Sequence, residues 1–145
     1  MRETASAVAV GLSALVMQGC GLYRQGAQSE RKFLEGLRSR PYVADPARAE
    51  AIVSGARQLH ICSRKSDVRR LMGEPDFGKR TYDSNGNRKA AEWTFVLRES
   101  DKKAGTFEQA VDVDVNSAGW VIAISPLGIE GVAFSVVNDG PGCRY

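Results

Sequence analysis

The first folded element is predicted by apolar residues that recur every three or four positions between residues 46 and 59. This spacing places them on one face of an amphipathic helix. The residues on that face are Ala49, Ile52, Val53, Ala56 and Leu59. Asp45 is a favoured N-cap residue and Pro46 a favoured first-turn residue, so we expect the helix to begin there and to reach about Leu59.

A second, shorter helix is predicted after Ser63. Its buried stripe consists of Val68, Leu71 and Met72. Gly73 is a common residue at the C-terminal end of helices and Pro75 cannot continue one, so the helix is expected to end at Gly73. Both Ser63 and Ser66 fit the N-cap position, and the sequence leaves that choice open.

From Asp76 onward the apolar residues recur at every second position, which indicates β-strands. We expect strands at 77–82, 90–98, 111–116 and 120–125, and an apolar patch at 132–137 fits an edge strand. The sequence Asn85-Gly86 between the first two strands is typical of a hairpin turn, because both residues accept positive φ angles. In the third strand, valines at 111, 113 and 115 alternate with polar residues at 112, 114 and 116.

Together these elements predict an α+β fold, with two N-terminal helices packed on an antiparallel β-meander of three to four strands. The helices would cover one face of the sheet, where Trp93 and Phe95 pack against Leu59, Val68 and Leu71. The opposite face carries the acidic residues 112 and 114, and we expect it to be in contact with water.

The N-terminus has a different character. Residues 5–17 carry no charge, which suits the hydrophobic region of a signal peptide and is too short to span a bilayer. Gly19-Cys20 follows and resembles the bacterial lipobox, whose cysteine is acylated. Residues 1–19 are therefore predicted to be a lipoprotein signal peptide, 20–43 a tether that includes a short helix at 29–37, and 44–145 the folded domain. Cleavage by the ordinary signal peptidase, or a buried N-terminal helix, are the alternatives.

The cysteine count is consistent with export. The chain has 3 cysteines, and acylation of Cys20 leaves Cys62 and Cys143. Two remaining thiols in an oxidising compartment predict a disulfide between them, and two unpaired cysteines are the alternative.

The composition and the polar motifs exclude several functional classes. A net charge of +3 without a basic, aromatic-rich stripe argues against nucleic-acid binding. The pair His60 and Cys62 lacks the third group of a nucleophilic site and the further ligands of a zinc site. The acidic run that begins at Asp112 departs from a calcium loop at its sixth and twelfth positions. We therefore expect no enzyme activity, no metal and no cofactor.

The order of motifs resembles the SmpA/OmlA family of outer-membrane lipoproteins, which includes BamE-like proteins. The family's short helix is matched by Val68, Leu71, Met72, Gly73 and Pro75. Its aromatic strand is matched at 92–96, and its strand, glycine turn and returning strand at 113–121. The resemblance covers about residues 59–125. It implies a BamE-like domain held at the periplasmic face of the outer membrane, without nucleic-acid partners.

For the function, the resemblance implies a lipid-anchored scaffold that binds envelope proteins and contributes to outer-membrane protein assembly or envelope integrity. The alternative is a membrane-tethered inhibitor or ligand-binding module of the β-lactamase-inhibitor-like type. The candidate binding residues are Trp120, Asp112 and Asp114. Their alternatives are a core position for the tryptophan and an ordinary solvated face for the two aspartates.

The first prediction concerns the anchor. Radiolabelled palmitate should be incorporated into the wild-type protein and not into Cys20→Ala, because the acyl chains are attached through that cysteine. Gly21 does not match the aspartate that retains lipoproteins of this class at the inner membrane, so the labelled protein should fractionate with the outer membrane. Unlabelled protein found entirely in the soluble periplasm would contradict the prediction.

Overall fold

The computed structural model describes residues 29–82, 84–137 and Cys143. The helices are α1 (29–36), α2 (Pro46–Gln58) and α3 (Lys65–Met72). The strands are β1 (Phe77–Tyr82), β2 (Arg88–Glu99), β3 (Phe107–Asn116), β4 (Val121–Leu127) and β5 (Ser135–Val136). They form one antiparallel sheet in the order β1-β2-β3-β4-β5. The predicted signal peptide and Cys20 lie outside the described residues.

The α+β architecture is as predicted, but the number of elements differs. Two N-terminal helices were expected in the folded domain, and the short helix predicted at 29–37 is present before them as α1. The α1 helix packs on the body through Phe33, whose ring centroid lies 5.5 Å from that of Tyr42 and 5.6 Å from that of Phe77. Residues 29–43, assigned above to the tether, therefore lie against the domain. The sheet has five strands instead of three to four, because Ser135 and Val136 pair with β4.

The two predicted helices, α2 and α3, have different N-terminal caps. The Asp45 side chain caps α2 by accepting a hydrogen bond from the backbone N–H of Arg48 at 3.0 Å. Neither Ser63 nor Ser66 caps α3, whose N-cap is Arg64. The backbone N–H of Arg64 donates to the Asp67 carboxylate at 3.0 Å. The Ser63 hydroxyl is already engaged, because it accepts the backbone N–H of His60.

The hydrophobic core lies between α2, α3 and one face of the sheet, which we call the first face. Trp93 pairs with Val113 and Phe95 with Val111, so these four side chains point to the same side. They belong to the same buried cluster as Leu59 and Val68, with Leu71 packed at its boundary, as the sequence predicted. The other buried members are Ile52, Ala56, Met72, Ala91, Leu97, Val115, Val121, Ile124 and Val132.

A buried carboxylate joins two segments at the end of β2. The Glu99 residue is 2% exposed and accepts hydrogen bonds from the backbone N–H groups of Tyr42 and Gly105, each at 3.0 Å. The Arg40 guanidinium also donates to both of its oxygens. The hydrogen bonds from Arg40 and Gly105 lower the pKa of Glu99 to about 2 although burial acts in the opposite direction. The stabilisation is present above the ordinary glutamate pKa of about 4.3 and is lost as the pH falls toward 2.

Two separate segments share the outer edge of β4. At its start, the backbone N–H of Cys62 donates to the carbonyl oxygen of Val121 at 2.9 Å. At the next residue the edge passes to the β5 segment, where Val137 N–H donates to the carbonyl oxygen of Ile122 at 2.9 Å. The Cys62–Cys143 disulfide links the chain beyond β5 to the first segment, with a Cα–Cα distance of 5.2 Å. The structure thus joins the two cysteines for which the sequence predicted a disulfide.

This disulfide closes a loop that contains the whole sheet. The two cysteines are 81 residues apart in the sequence. In the simplest chain-entropy treatment, closing a loop of that length removes denatured-state entropy equivalent to roughly 4–5 kcal/mol. The bond therefore holds the C-terminal segment near the edge of β4, where β5 contributes only two residues to the sheet.

Candidate binding surface on the second face of the sheet

The side of the sheet opposite α2 and α3 carries most of the polar strand residues, and we call it the second face. The register aligns three rows across it, because directly paired residues point to the same side. One row contains Thr94, Asp112 and Ser125. The next contains Lys79, Glu92, Asp114 and Ala123. The third contains Val96, Ala110 and Leu127.

The second face is less exposed to solvent than the sequence predicted. Thr94, Val96 and Ala110 are buried on it, and Asp112 and Asp114 are partly buried. One cause is α1, which approaches this side through the contact of Phe33 with Phe77, the β1 residue paired with Thr94. The two aspartates consequently lie in a partly desolvated surface and not on an ordinary solvated face.

Asp112 is held by its neighbour on β2. The Thr94 hydroxyl donates a hydrogen bond of 2.6 Å to Asp112 Oδ1. Burial raises the pKa of Asp112, while this hydrogen bond favours the ionised form and partly offsets the effect of burial. The arrangement fixes one carboxylate oxygen and thereby orients the whole group.

Asp114 has the more strongly perturbed carboxyl group. Burial is the largest cause, and the negative charges of Glu92 and Asp112 add to it, so that the pKa of Asp114 rises to about 6. Lys79 acts in the opposite direction. The Lys79 amine lies 2.8 Å from a carboxylate oxygen of Glu92, so its charge is largely engaged by that partner. The group therefore changes charge near pH 6.

An exposed apolar strip borders the two aspartates. Leu127 and Val136 are each 51% exposed and Phe134 is 66% exposed. The register places Leu127 opposite Ala110 and Val136 opposite Ala123, on the second face. Phe134 lies immediately before β5. We call these three residues the apolar margin.

Trp120, the third candidate residue, lies at a different position. It follows the turn between β3 and β4, and its backbone N–H donates to the Asn116 side chain at 2.9 Å. The Arg64 guanidinium lies over its ring, 4.4 Å from the centroid, and the two residues form an isolated antiparallel bridge. The structure therefore brings Asp112 and Asp114 together and joins Trp120 to the start of α3.

Sequence reasoning identified the two aspartates and missed their surroundings. The apolar patch at 132–137 was visible in the sequence, and Phe134 and Val136 belong to it. Their position beside Asp114 depends on the register of β3, β4 and β5, which a periodicity of two does not specify. Glu92 and Lys79 gave no separate signal, because alternating charges are common on any exposed strand.

The structure also bears on the alternative chemistry of His60 and Cys62. In this structure Cys62 is disulfide-bonded and provides no thiol nucleophile. Within the described segments, no group of three or more histidine, cysteine, aspartate or glutamate residues is arranged to hold a metal ion. None of the described helices combines the length and the apolar character needed to cross a membrane.

Comparisons with known proteins do not add a relative. The chain matches no family model, no curated protein and no solved structure. The resemblance to the SmpA/OmlA family therefore stays a prediction from the motifs in the sequence.

The raised pKa of Asp114 predicts a change in stability that depends on pH. Its carboxyl group titrates near 3.9 in an unfolded chain and at about 6 in the folded protein. Stability is therefore lost as the pH rises from about 4 through 6. Asp114→Asn should increase the free energy of unfolding by about 1 kcal/mol at pH 7.5, allowing for solvent screening, and change it little at pH 4.

Urea unfolding at both pH values measures this difference. Asp101→Asn, which removes an acidic charge from the exposed loop between β2 and β3, is the matched control and should have little effect at either pH. Equal effects of Asp114→Asn at the two pH values, or destabilisation at pH 7.5, would show that the carboxyl group is not desolvated.

Proposed function

We propose that this protein is a lipid-anchored binding protein of the bacterial envelope, and that it acts as a scaffold rather than as an enzyme. In this proposal Cys20 carries the acyl chains and holds the protein at the periplasmic face of the outer membrane. The folded domain then contacts other envelope proteins through the second face of the sheet. The role in outer-membrane protein assembly or envelope integrity is part of the proposal and derives from the motif resemblance.

The observation that carries the proposal is the apolar margin beside the two partly desolvated aspartates. Apolar patches with a polar border are typical of protein–protein interaction sites on folded domains. Burying Leu127, Phe134 and Val136 against a partner would remove apolar surface from water, which favours association. The described residues expose four large hydrophobic side chains, and three of them belong to this margin.

The location of the margin is compatible with an anchored protein. The predicted acylation site, Cys20, lies nine residues before the first described residue of α1, Ser29. An extended segment of that length spans at most about 30 Å. In this proposal, a tether of that length keeps the domain near the membrane, in the same layer as the envelope proteins that it binds.

Photo-cross-linking from the margin tests the proposal in cells that produce the full lipidated chain. A photoreactive amino acid at Leu127 should form adducts with an outer-membrane protein. The matched control is the same amino acid at Val43, which is 56% exposed. Val43 pairs with Arg98 of β2 and therefore lies toward the β1 edge of the sheet, away from β5. This control should give few adducts.

The identity of the adduct separates the two functional classes. Adducts with an outer-membrane protein, formed from Leu127 and not from Val43, support the scaffold. Adducts with a hydrolase in their place would favour the membrane-tethered inhibitor. Equal adduct yields from both positions, or none from Leu127, would contradict a binding role for the second face.

A further inference from the structure

We propose that the second face takes a partner segment that carries a lysine or arginine beside an apolar side chain. The cationic group would contact Asp112 and Asp114, and the apolar side chain would pack on the apolar margin. This inference rests on the proposed function and specifies the chemistry of the partner. A second copy of this chain and an apolar partner without a cation are the other occupants that the test distinguishes.

The charge of the second face differs in sign from that of the whole chain. The central rows of the second face contain three carboxylates, at Glu92, Asp112 and Asp114, and one described cation, Lys79. The whole chain, by contrast, has a net charge of +3. A negative surface on a positive protein favours a cationic partner and disfavours the approach of an acidic one.

The known contacts of two of the three carboxylates are with Lys79 and Thr94. Lys79 pairs with Glu92 at 2.8 Å, and the Thr94 hydroxyl engages Oδ1 of Asp112 at 2.6 Å. Every buried side-chain nitrogen or oxygen of the described part of the chain has a hydrogen-bond partner. Any carboxylate oxygen on this face that lacks one is therefore at least partly exposed to solvent.

The neighbouring apolar surface defines the second half of the ligand. Asp114 pairs with Ala123, and Ala123 pairs with Val136, so two inter-strand spacings separate the aspartate from the margin. That distance is about 10 Å. Because the carboxylates are already partly desolvated, a partner loses less hydration energy by covering them than it would at a fully hydrated acidic patch.

Protonation should regulate this contact. Asp114 has Asp112 on its own strand, Glu92 and Lys79 on the two strands to one side, and Ala123 and Ser125 on β4. Its pKa of about 6 implies that the group is ionised at pH 7.5 and largely neutral at pH 5. A cationic partner should accordingly bind more tightly at the higher pH.

The test uses fluorescently labelled peptides and the full lipidated chain in detergent. The probe is a peptide of alternating leucine and lysine, and matched peptides replace every lysine by glutamine or by glutamate. Fluorescence anisotropy should show that the lysine peptide binds about tenfold more tightly at pH 7.5 than at pH 5. It should also bind at least tenfold more tightly than the glutamine peptide at pH 7.5, and the glutamate peptide should bind most weakly.

Two protein variants assign the effect to the site. Asp112→Asn combined with Asp114→Asn should weaken binding of the lysine peptide about tenfold at pH 7.5 and abolish its dependence on pH. Asp101→Asn should leave both unchanged. The near-isosteric asparagines preserve the shape of the strand, and a thermal melt of the double variant verifies that it is folded.

Several results would overturn the inference. Equal binding of the lysine and glutamine peptides would show that the face selects apolar groups alone. If the folded double variant binds the lysine peptide with unchanged affinity, the cation site lies elsewhere. If the wild-type protein forms concentration-dependent dimers and the double variant does not, the occupant is a second copy of the chain. If Leu127 still cross-links to an outer-membrane protein in the double variant with an unchanged yield, the proposed function stands and this inference fails.

Discussion

The strict alternation of side chains along β2 and β3 decides which residues enter the core and which reach the second face. One parity supplies Trp93, Phe95, Val111 and Val113 to the core beneath α2 and α3. The residues that alternate with them must point to the opposite side. These are Glu92, Thr94, Asp112 and Asp114, which lie on the second face. A shift of the register by one residue would expose the aromatic residues and bury the carboxylates, so the same hydrophobic packing that stabilises the fold also creates the acidic surface.

The edges of the sheet are closed by specific contacts rather than by additional long strands. Beyond the region of β2 that β1 covers, the segment at 42–44 pairs with β2, and Glu99 holds that segment through Arg40 and the backbone of Tyr42. At the other side, the segment at 62–63 and β5 share the outer edge of β4, and the disulfide between Cys62 and Cys143 connects them. These contacts leave Leu127, Phe134 and Val136 exposed at the border of the second face, where they form the surface that we propose as the binding site.

Much of the fold could be predicted from the sequence, because its signals are local. The N-cap at Asp45, the end of α3 at Gly73 and the period-two pattern of β2 and β3 are each determined by neighbouring residues. The packing of α1 could not be predicted in this way, since it depends on Phe33 meeting Tyr42 and Phe77 at long range. The candidate site is predictable only in part for the same reason. Asp112 and Asp114 are recognisable in the sequence, whereas their partial burial follows from tertiary packing. Their position relative to Val136 follows from the register of three strands.

We propose that a partner in the envelope covers the second face. Hydroxyl-radical footprinting of the lipidated protein measures this directly, by comparing side-chain oxidation in intact outer membranes with that of the same protein purified in detergent. We predict that Leu127, Phe134 and Val136 are strongly protected in the membranes, while Val43, which is similarly exposed, is oxidised to the same extent in both samples. Equal oxidation of the apolar margin in the two samples, or protection of Val43 to the same degree, would contradict the account.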